Sequence, residues 1–504
     1  MPELIKLEEP TLLFGHNQGM EDPRDGLALF GTLDVGQVYG IRAGVVGTSE
    51  GIRRYKDWVR KIQQPLYETE TIEHRPIYPG FETTFKIPWK PEPLVERVIT
   101  DSELDECVHL GDQHLRVFKT VDVYSSRILD ADVKEEKKVD IWFVIVPERV
   151  WKYCRPQSKV EAARRVTSDE SMSSKRGKRL LKEPSMFEEE NVAAVPYQYE
   201  VNFHNQLKAR LLDKKILTQI IRETTIAPEE FVNDSGRLLR QVDTPSAIAW
   251  NLSTAVFYKA GGRPWKINNI REGVCYIGLV FKRDETNIDP RYACCAAQMF
   301  LDSGDGVVFK RVDGPWHIPG TNTFHLSAEA AKNIVGTAVD AYKEHHEAHK
   351  PPKELFLHGR VQFDDEEWRG FSQAVDAGTN LVGVRIRDES HFKLFRKQTR
   401  AVLRGTAYVR NWRTAYLWTK GFIPRLQTYP GRAVPKPLLI DVCRGSAEIT
   451  TVLRDIMALT KLNYNTCVFA DGAPVTLRFA NAVGEILTAG PIKDVPPLPF
   501  RHYI

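Results

Sequence analysis

Two patterns of apolar positions alternate along the chain. Closed apolar runs occur at "VYGIRAGVVG" (38–47), "VDIWFVIVP" (139–147) and "VCYIGLVF" (274–281), as in strands buried on both faces of a sheet. Between them lie segments with helical spacing. In "SEGIRRYKDWVRKIQQ" (49–64) the residues Ile52, Tyr55, Trp58, Val59 and Ile62 fall on one stripe, and a strand followed by such a helix opens a βαβ unit. The pattern continues with a helix from Phe203 to Asp213, a strand "ILTQII" (216–221) and a helix over 245–265, with Pro245 near its start and Gly261 and Gly262 at its end. A second series follows "GGRPWKI": strands 274–281, 297–302 and 306–312, a helix from Ser327 to His349, a strand over 354–361, a helix over 365–375 and a strand over 381–387. Strands alternating with helices in both halves predict an α/β fold. The polar stretch 167–191, mixed in charge and without apolar periodicity, reads as a mobile surface excursion.

A chain of 504 residues exceeds one hydrophobic core, so at least two domains are expected, and its 42% apolar composition can fill them. No run approaches the roughly 18 apolar residues of a membrane span, and the first residues lack a signal-peptide pattern, so the cytoplasm is the expected location. Seven scattered cysteines with no CxxC pair argue against a disulfide framework or a zinc site. The net charge of +4 is uninformative until its distribution is read. From Arg385 to Lys436 there are 13 Lys or Arg against Asp388 and Glu389, a local balance of +11, interleaved with aromatics such as Phe395, Tyr408, Trp412 and Tyr429. Cations neutralise phosphates and aromatic faces stack on bases, so Arg400, Arg404, Arg410 and Arg413 are candidate nucleic-acid backbone contacts. A solvated basic face over an aromatic core is the alternative.

In "VNFHNQLKARLL", His204 and Lys208 are four apart and share one helical face. With Gln219 in the next strand and Lys259 at the end of the following helix, they could cradle a terminal phosphate. The same spacing arises by chance on surface helices, so it decides nothing alone.

The ordered set "NFHNQLKARLL", "LTQII", "NLSTAVFYKAGGRPW", "YIGLVFKRD", "LFLHGRV" and "APVTLRFANAVGEIL" resembles the MID and PIWI halves of Argonaute proteins, and "EEPTLLFGHNQGMEDPRDGLALFG" resembles the short prokaryotic members. The resemblance implies three parts: an N-terminal segment (1–37) associated with PIWI, a Rossmann-like MID domain (38–265) that grips a guide 5′ end, and an RNase H-like PIWI domain (266–504). It assigns His204, Lys208, Gln219 and Lys259 to the guide-phosphate motif, with His204 where many relatives have Tyr. It further implies Mg²⁺ at the phosphate, ligated by the Ile504 terminal carboxylate. A frayed chain end is the alternative there.

RNase H-like catalysis requires carboxylates holding two metal ions about 3.5 to 4 Å apart. By the resemblance, the ligand positions fall on Val280, near Gly359 and on Asn481, and a valine, a glycine and an amide do not anchor hard cations. Asp284 as a slipped ligand would need a bulge that re-aims the strand, and His358 alone reads as structural. The expectation is a guide-directed binder without nuclease activity, with guide RNA and a single-stranded DNA target. The family further implies an APAZ-bearing effector partner, of TIR or sirtuin-like type, that depletes NAD in prokaryotic defence. A residual metal-dependent nuclease and a guide-independent single-strand binder are the alternatives.

Overall fold

The computed structural model describes residues 2–67, 77–135, 138–268, 270–283, 291–300, 306–308, 312–321, 323–345, 349–397, 399–429, 431–491 and 497–504. In its first half, four parallel strands lie in the order Val95–Val98, Ala43–Gly47, Ile141–Val146, Thr218–Arg222. Every residue of Ala43–Gly47 and Ile141–Val146 is buried, which is why their sequence is apolar without alternation. The first strand is shorter than 38–47, because Gly40 turns the chain at φ +85°.

Local signals set the helices around this sheet. Thr48 caps Ser49–Lys61 by accepting from the Gly51 amide. Asn202 caps Phe203–Leu212 by accepting from the amides of His204 and Asn205. Pro245–Lys259 starts with proline in its first turn and gives way to Gly261 at φ +99°. A 22-residue helix, Gln113–Lys134, is an element the apolar pattern alone did not reveal. The 167–191 stretch contains the helix Ser174–Leu180 and the start of Glu188–Ala194, joined by an Arg176–Glu190 ion pair.

The second half is built on an eleven-stranded mixed sheet. Its central strand, Val274–Arg283, runs antiparallel to Ala293–Phe300 and parallel to Glu354–Gly359, which in turn runs parallel to Asn380–Asp388. One face buries Cys275, Ile277 and Leu279 in a cluster with Ala331 and Val335 of the helix Ala328–His345 and Phe371 of Asp365–Gln373. The other face packs on the helices Ile449–Leu459, Val475–Arg478 and Ala480–Leu487. The N-terminal segment joins this half: Glu3–Lys6 pairs with Thr406–Val409, and Leu12–Leu13 pairs with Lys266–Ile267.

Candidate functional site

The helix Phe203–Leu212, the strand Thr218–Arg222, the end of Pro245–Lys259 and the last turn of the chain converge. Lys208 is buried, and its Nζ donates to the main-chain oxygen of Ile504 at 2.5 Å. Lys259 is equally buried and donates to the Thr218 carbonyl at 3.1 Å and to Gln219 Oε1 at 2.7 Å. Lys208, Gln219, Lys259 and Ile504 therefore come together as their sequence suggested. Ile504 is buried against the helix and not splayed into solvent. Among the described residues, no Asp or Glu side chain forms an ion pair with either lysine.

Burial pulls the Lys208 ammonium down to about 7, and the Ile504 oxygen beside it works the other way by favouring the charged form. Lys259 is held well below the usual lysine range by burial first and the Lys208 charge second. Crowding, then the charge of Lys208, holds the His204 imidazole low, although one side of the residue stays open to solvent and water softens that shift. Two buried cations, with the Ile504 oxygen against Lys208 and no Asp or Glu side chain among the described residues, remain under-neutralised until a further anion arrives.

Two residues that sequence reasoning missed extend the set. Arg501 and His502 lie in the turn Phe500–His502, and Arg501 Nε and His502 Nδ1 are buried without a hydrogen-bond partner. Burial lowers the His502 imidazole, with contributions from Arg501, Lys208 and Lys259, so these groups share one field. The "RHYI" ending, two basic residues before an apolar end, was the available signal.

A cavity of about 580 Å³ adjoins this cluster, with His204 and Asn205 on its wall beside Trp151, Ile220, Leu252 and Arg240. Asn205 Nδ2 donates to Glu200 at 3.1 Å and reaches Glu485 at 3.5 Å. Glu485 is 3.4 Å from Lys282, so the cavity wall is tied to the central strand of the large sheet. A Mg²⁺ ion at the lysine site would meet the Ile504 oxygen and Gln219 Oε1, both already accepting from ammonium groups, and no side-chain carboxylate. The ammonium groups fit an anion directly, and the Ile504 oxygen and Gln219 Oε1 would be the atoms to hold Mg²⁺ if the lysines released them.

On the basic segment, Arg410 is exposed, Arg413 lies over the Trp412 ring at 4.3 Å, and Arg400 over Phe422 at 4.7 Å. Trp412 and Phe395 are exposed, so the face offers both cations and rings. Arg404 does not belong with them. It is buried, pairs with Glu9 at 3.0 Å, and donates to the Thr419 carbonyl and Thr460 Oγ1, which makes it a tie between the N-terminal segment and the large sheet.

The positions that the resemblance assigns to a nuclease centre fall on touching elements. Position 280 pairs with Ala296, Gly359 ends a strand parallel to the central one, and Asn481 is exposed in the helix Ala480–Leu487. A side chain at Gly359 would start 2.9 Å from the Phe363 ring, so the position has no room for a ligand without rearrangement. His358 is sealed against Thr476 Oγ1 at 2.9 Å, and burial pushes its imidazole down to about 3, which keeps it neutral. Asp284 lies outside the described residues.

Solved structures share this architecture. The Clostridium butyricum Argonaute bound to a guide DNA and a 19-mer target DNA matches 98% of this chain at a TM-score of 0.64 and 17% identity. The fold is that of the Argonaute MID and PIWI halves. Drosophila Piwi matches 99% of the chain (TM-score 0.59, 11% identity), and the A. aeolicus Argonaute matches 98% (TM-score 0.55, 13% identity). These matches cover 54%, 56% and 54% of the other chains, so this Argonaute-like chain spans about half their length. No sequence family model matches it, and no curated protein sequence does. Among the described residues, no helix is long and apolar enough to cross a membrane.

Proposed function

We propose that this chain holds the 5′-phosphorylated end of a guide strand at Lys208 and Lys259 and presents that strand for pairing with a complementary target, without cutting it. The observation that carries the reading is the pair of buried ammonium groups with no Asp or Glu partner among the described residues, beside the unpaired Arg501 Nε and His502 Nδ1. A phosphate supplies the missing charge and accepts several charge-assisted hydrogen bonds at once. The adjoining cavity takes the terminal nucleobase, with the His204 ring against it. Base pairing then reads sequence while Arg400, Arg410 and Arg413 meet backbone phosphates.

The guide is RNA and the target single-stranded DNA in this reading, which rests on the resemblance to short prokaryotic Argonautes. The chain carries no ionisable ligand at Val280, Gly359 or Asn481, so recognition is passed to an APAZ-bearing partner whose TIR or sirtuin-like domain consumes NAD. The test is binding of 5′-phosphorylated and 5′-hydroxyl single strands to the wild type and to Lys208→Met and Lys259→Met. Each charge-assisted contact is worth about 1.5–3 kcal/mol, so each variant should lose about ten- to a hundredfold in affinity for the phosphorylated strand and little for the hydroxyl one. The exposed Trp412 and Phe395 favour a second reading, a guide-independent stacking platform. Equal affinity for both strand ends in the wild type would select it.

A further inference from the structure

We propose that His325, Asp364 and Glu367 form a site for one zinc-type divalent ion that staples the segment before the helix Ala328–His345 to the start of the helix Asp365–Gln373. His325 Nδ1 lies 2.9 Å from Glu367 Oε2 and 3.4 Å from Asp364 Oδ2, and the three ligand atoms fall within 4.8 Å of one another. A tetrahedral ion with bonds of about 2.0–2.1 Å has ligand-to-ligand edges of about 3.3–3.4 Å. The two edges from Nδ1 suit that geometry with small adjustment, and the carboxylate oxygens lie within 4.8 Å of each other.

Charge gives an independent reason for a cation. Glu367 is buried, and among the described residues neither it nor Asp364 forms an ion pair with a lysine or arginine. The remaining oxygens are already committed: Glu367 Oε1 accepts from the Leu326 amide at 2.8 Å, and Asp364 Oδ1 accepts from the Glu367 amide at 2.8 Å. Oε2, which also accepts from the Asp364 amide at 3.2 Å, and Oδ2 are both turned to one imidazole nitrogen, whose single N–H serves one of them well. An ion serves both. On binding, the imidazole proton sits on Nε2, the Nδ1 lone pair coordinates the metal, and two carboxylates with one divalent cation leave the site neutral. Hydrogen-bonded carboxylates are the usual orienting arrangement around such ions. Asp364 is half-exposed, which leaves a fourth position open to water. An imidazole nitrogen with two carboxylate oxygens suits Zn²⁺ over Ca²⁺ or Mg²⁺.

The experiment uses the full chain freed of metal by chelator, titrated with Zn²⁺ by calorimetry and with Co²⁺ by visible absorption. The expected result is one ion per chain at micromolar concentration or below, with the intense bands of tetrahedral Co²⁺. His325→Gln and Asp364→Asn should each weaken binding by at least about tenfold. Asparagine still caps a helix, so the metal-free melting temperature of Asp364→Asn serves as the folding control. Unchanged affinity in both variants, which would point to thiols elsewhere, overturns the proposal, as does the lack of saturable binding at micromolar Zn²⁺.

Discussion

Lys208 Nζ and the main-chain oxygen of Ile504 meet at 2.5 Å across a sequence separation of 296 residues. The contact closes the end of the chain onto the helix Phe203–Leu212 and sets the electrostatics of the candidate phosphate site.

If the site holds a guide phosphate as proposed, that environment makes the binding dependent on pH. Burial holds the Lys208 ammonium down to about 7, below the ordinary lysine value of 10.5. In the free protein the unfolded chain holds this proton between about pH 7 and 10.5 and the folded one does not. Burial of the charge therefore costs stability fully below pH 7, and the cost is relieved as pH rises through that window. A bound phosphate favours the protonated form, so binding above pH 7 takes up a proton. Affinity for a 5′-phosphorylated strand should fall by up to about tenfold per pH unit above 7. The same titration with a 5′-hydroxyl strand should be flat and that of Lys208→Met shallower, since Lys259 remains, and a slope shared equally by all three would assign the effect elsewhere.

Metal removal gives a second outcome. The lysine site offers ammonium donors and no side-chain carboxylate among the described residues, so a phosphate bound there would be neutralised by Lys208 and Lys259 themselves. Adding EDTA should leave the preference for a 5′ phosphate within about threefold, as expected where direct charge-assisted contacts carry the binding. Collapse of that preference in EDTA, restored by Mg²⁺, would show that the Ile504 end rearranges to hold an ion.

Arginines of the basic segment should separate into two classes. Arg404 and Lys461 share the Glu9 carboxylate at 3.0 and 2.8 Å, and both cations are buried. Arg404→Ala strands part of that cluster and should cost about 3–5 kcal/mol of stability, read as a lower denaturation midpoint. Arg410→Ala, at an exposed position, should change stability by no more than about 0.5 kcal/mol while weakening strand binding. Matching melts for the two variants would contradict the division.

These contrasts mark what the sequence could disclose. Ile141–Val146 was legible because a strand buried on both faces must be apolar throughout. The helix Gln113–Lys134 was not, because its inner stripe carries Arg116, which is buried and donates to the carbonyls of Leu110, Tyr153 and Ser158. A buried charge that caps loops looks like surface in one dimension. His204 and Lys208 were readable as a pair because one helix spaces them. Arg501 and His502 reach the same site only through the packing of the chain's last turn. Arg404 was misplaced for the converse reason: its partner Glu9 lies 395 residues away, and local charge density says nothing about such a pairing.

The isolated chain, loaded with a guide and given a complementary target with Mg²⁺ or Mn²⁺, should leave the target at full length. Cutting by an RNase H-like site requires two ions held by carboxylates around the scissile phosphate. The positions expected to supply them are Val280, Gly359 and Asn481; Gly359 is hemmed in by Phe363, and His358 beside it is held neutral by burial against Thr476. Among the described residues, the only group of three ligating side chains is His325, Asp364 and Glu367, and one ion there does not make a metal pair. Val280→Asp alone should not restore cutting, because a single carboxylate leaves the other ligand positions empty. Co-expression with an APAZ-bearing partner, following target length and NAD together, should show NAD falling on target addition while the target stays intact. Shortened target from the chain by itself would return it to the nucleases, and unchanged NAD with every such partner would remove the effector half of the reading.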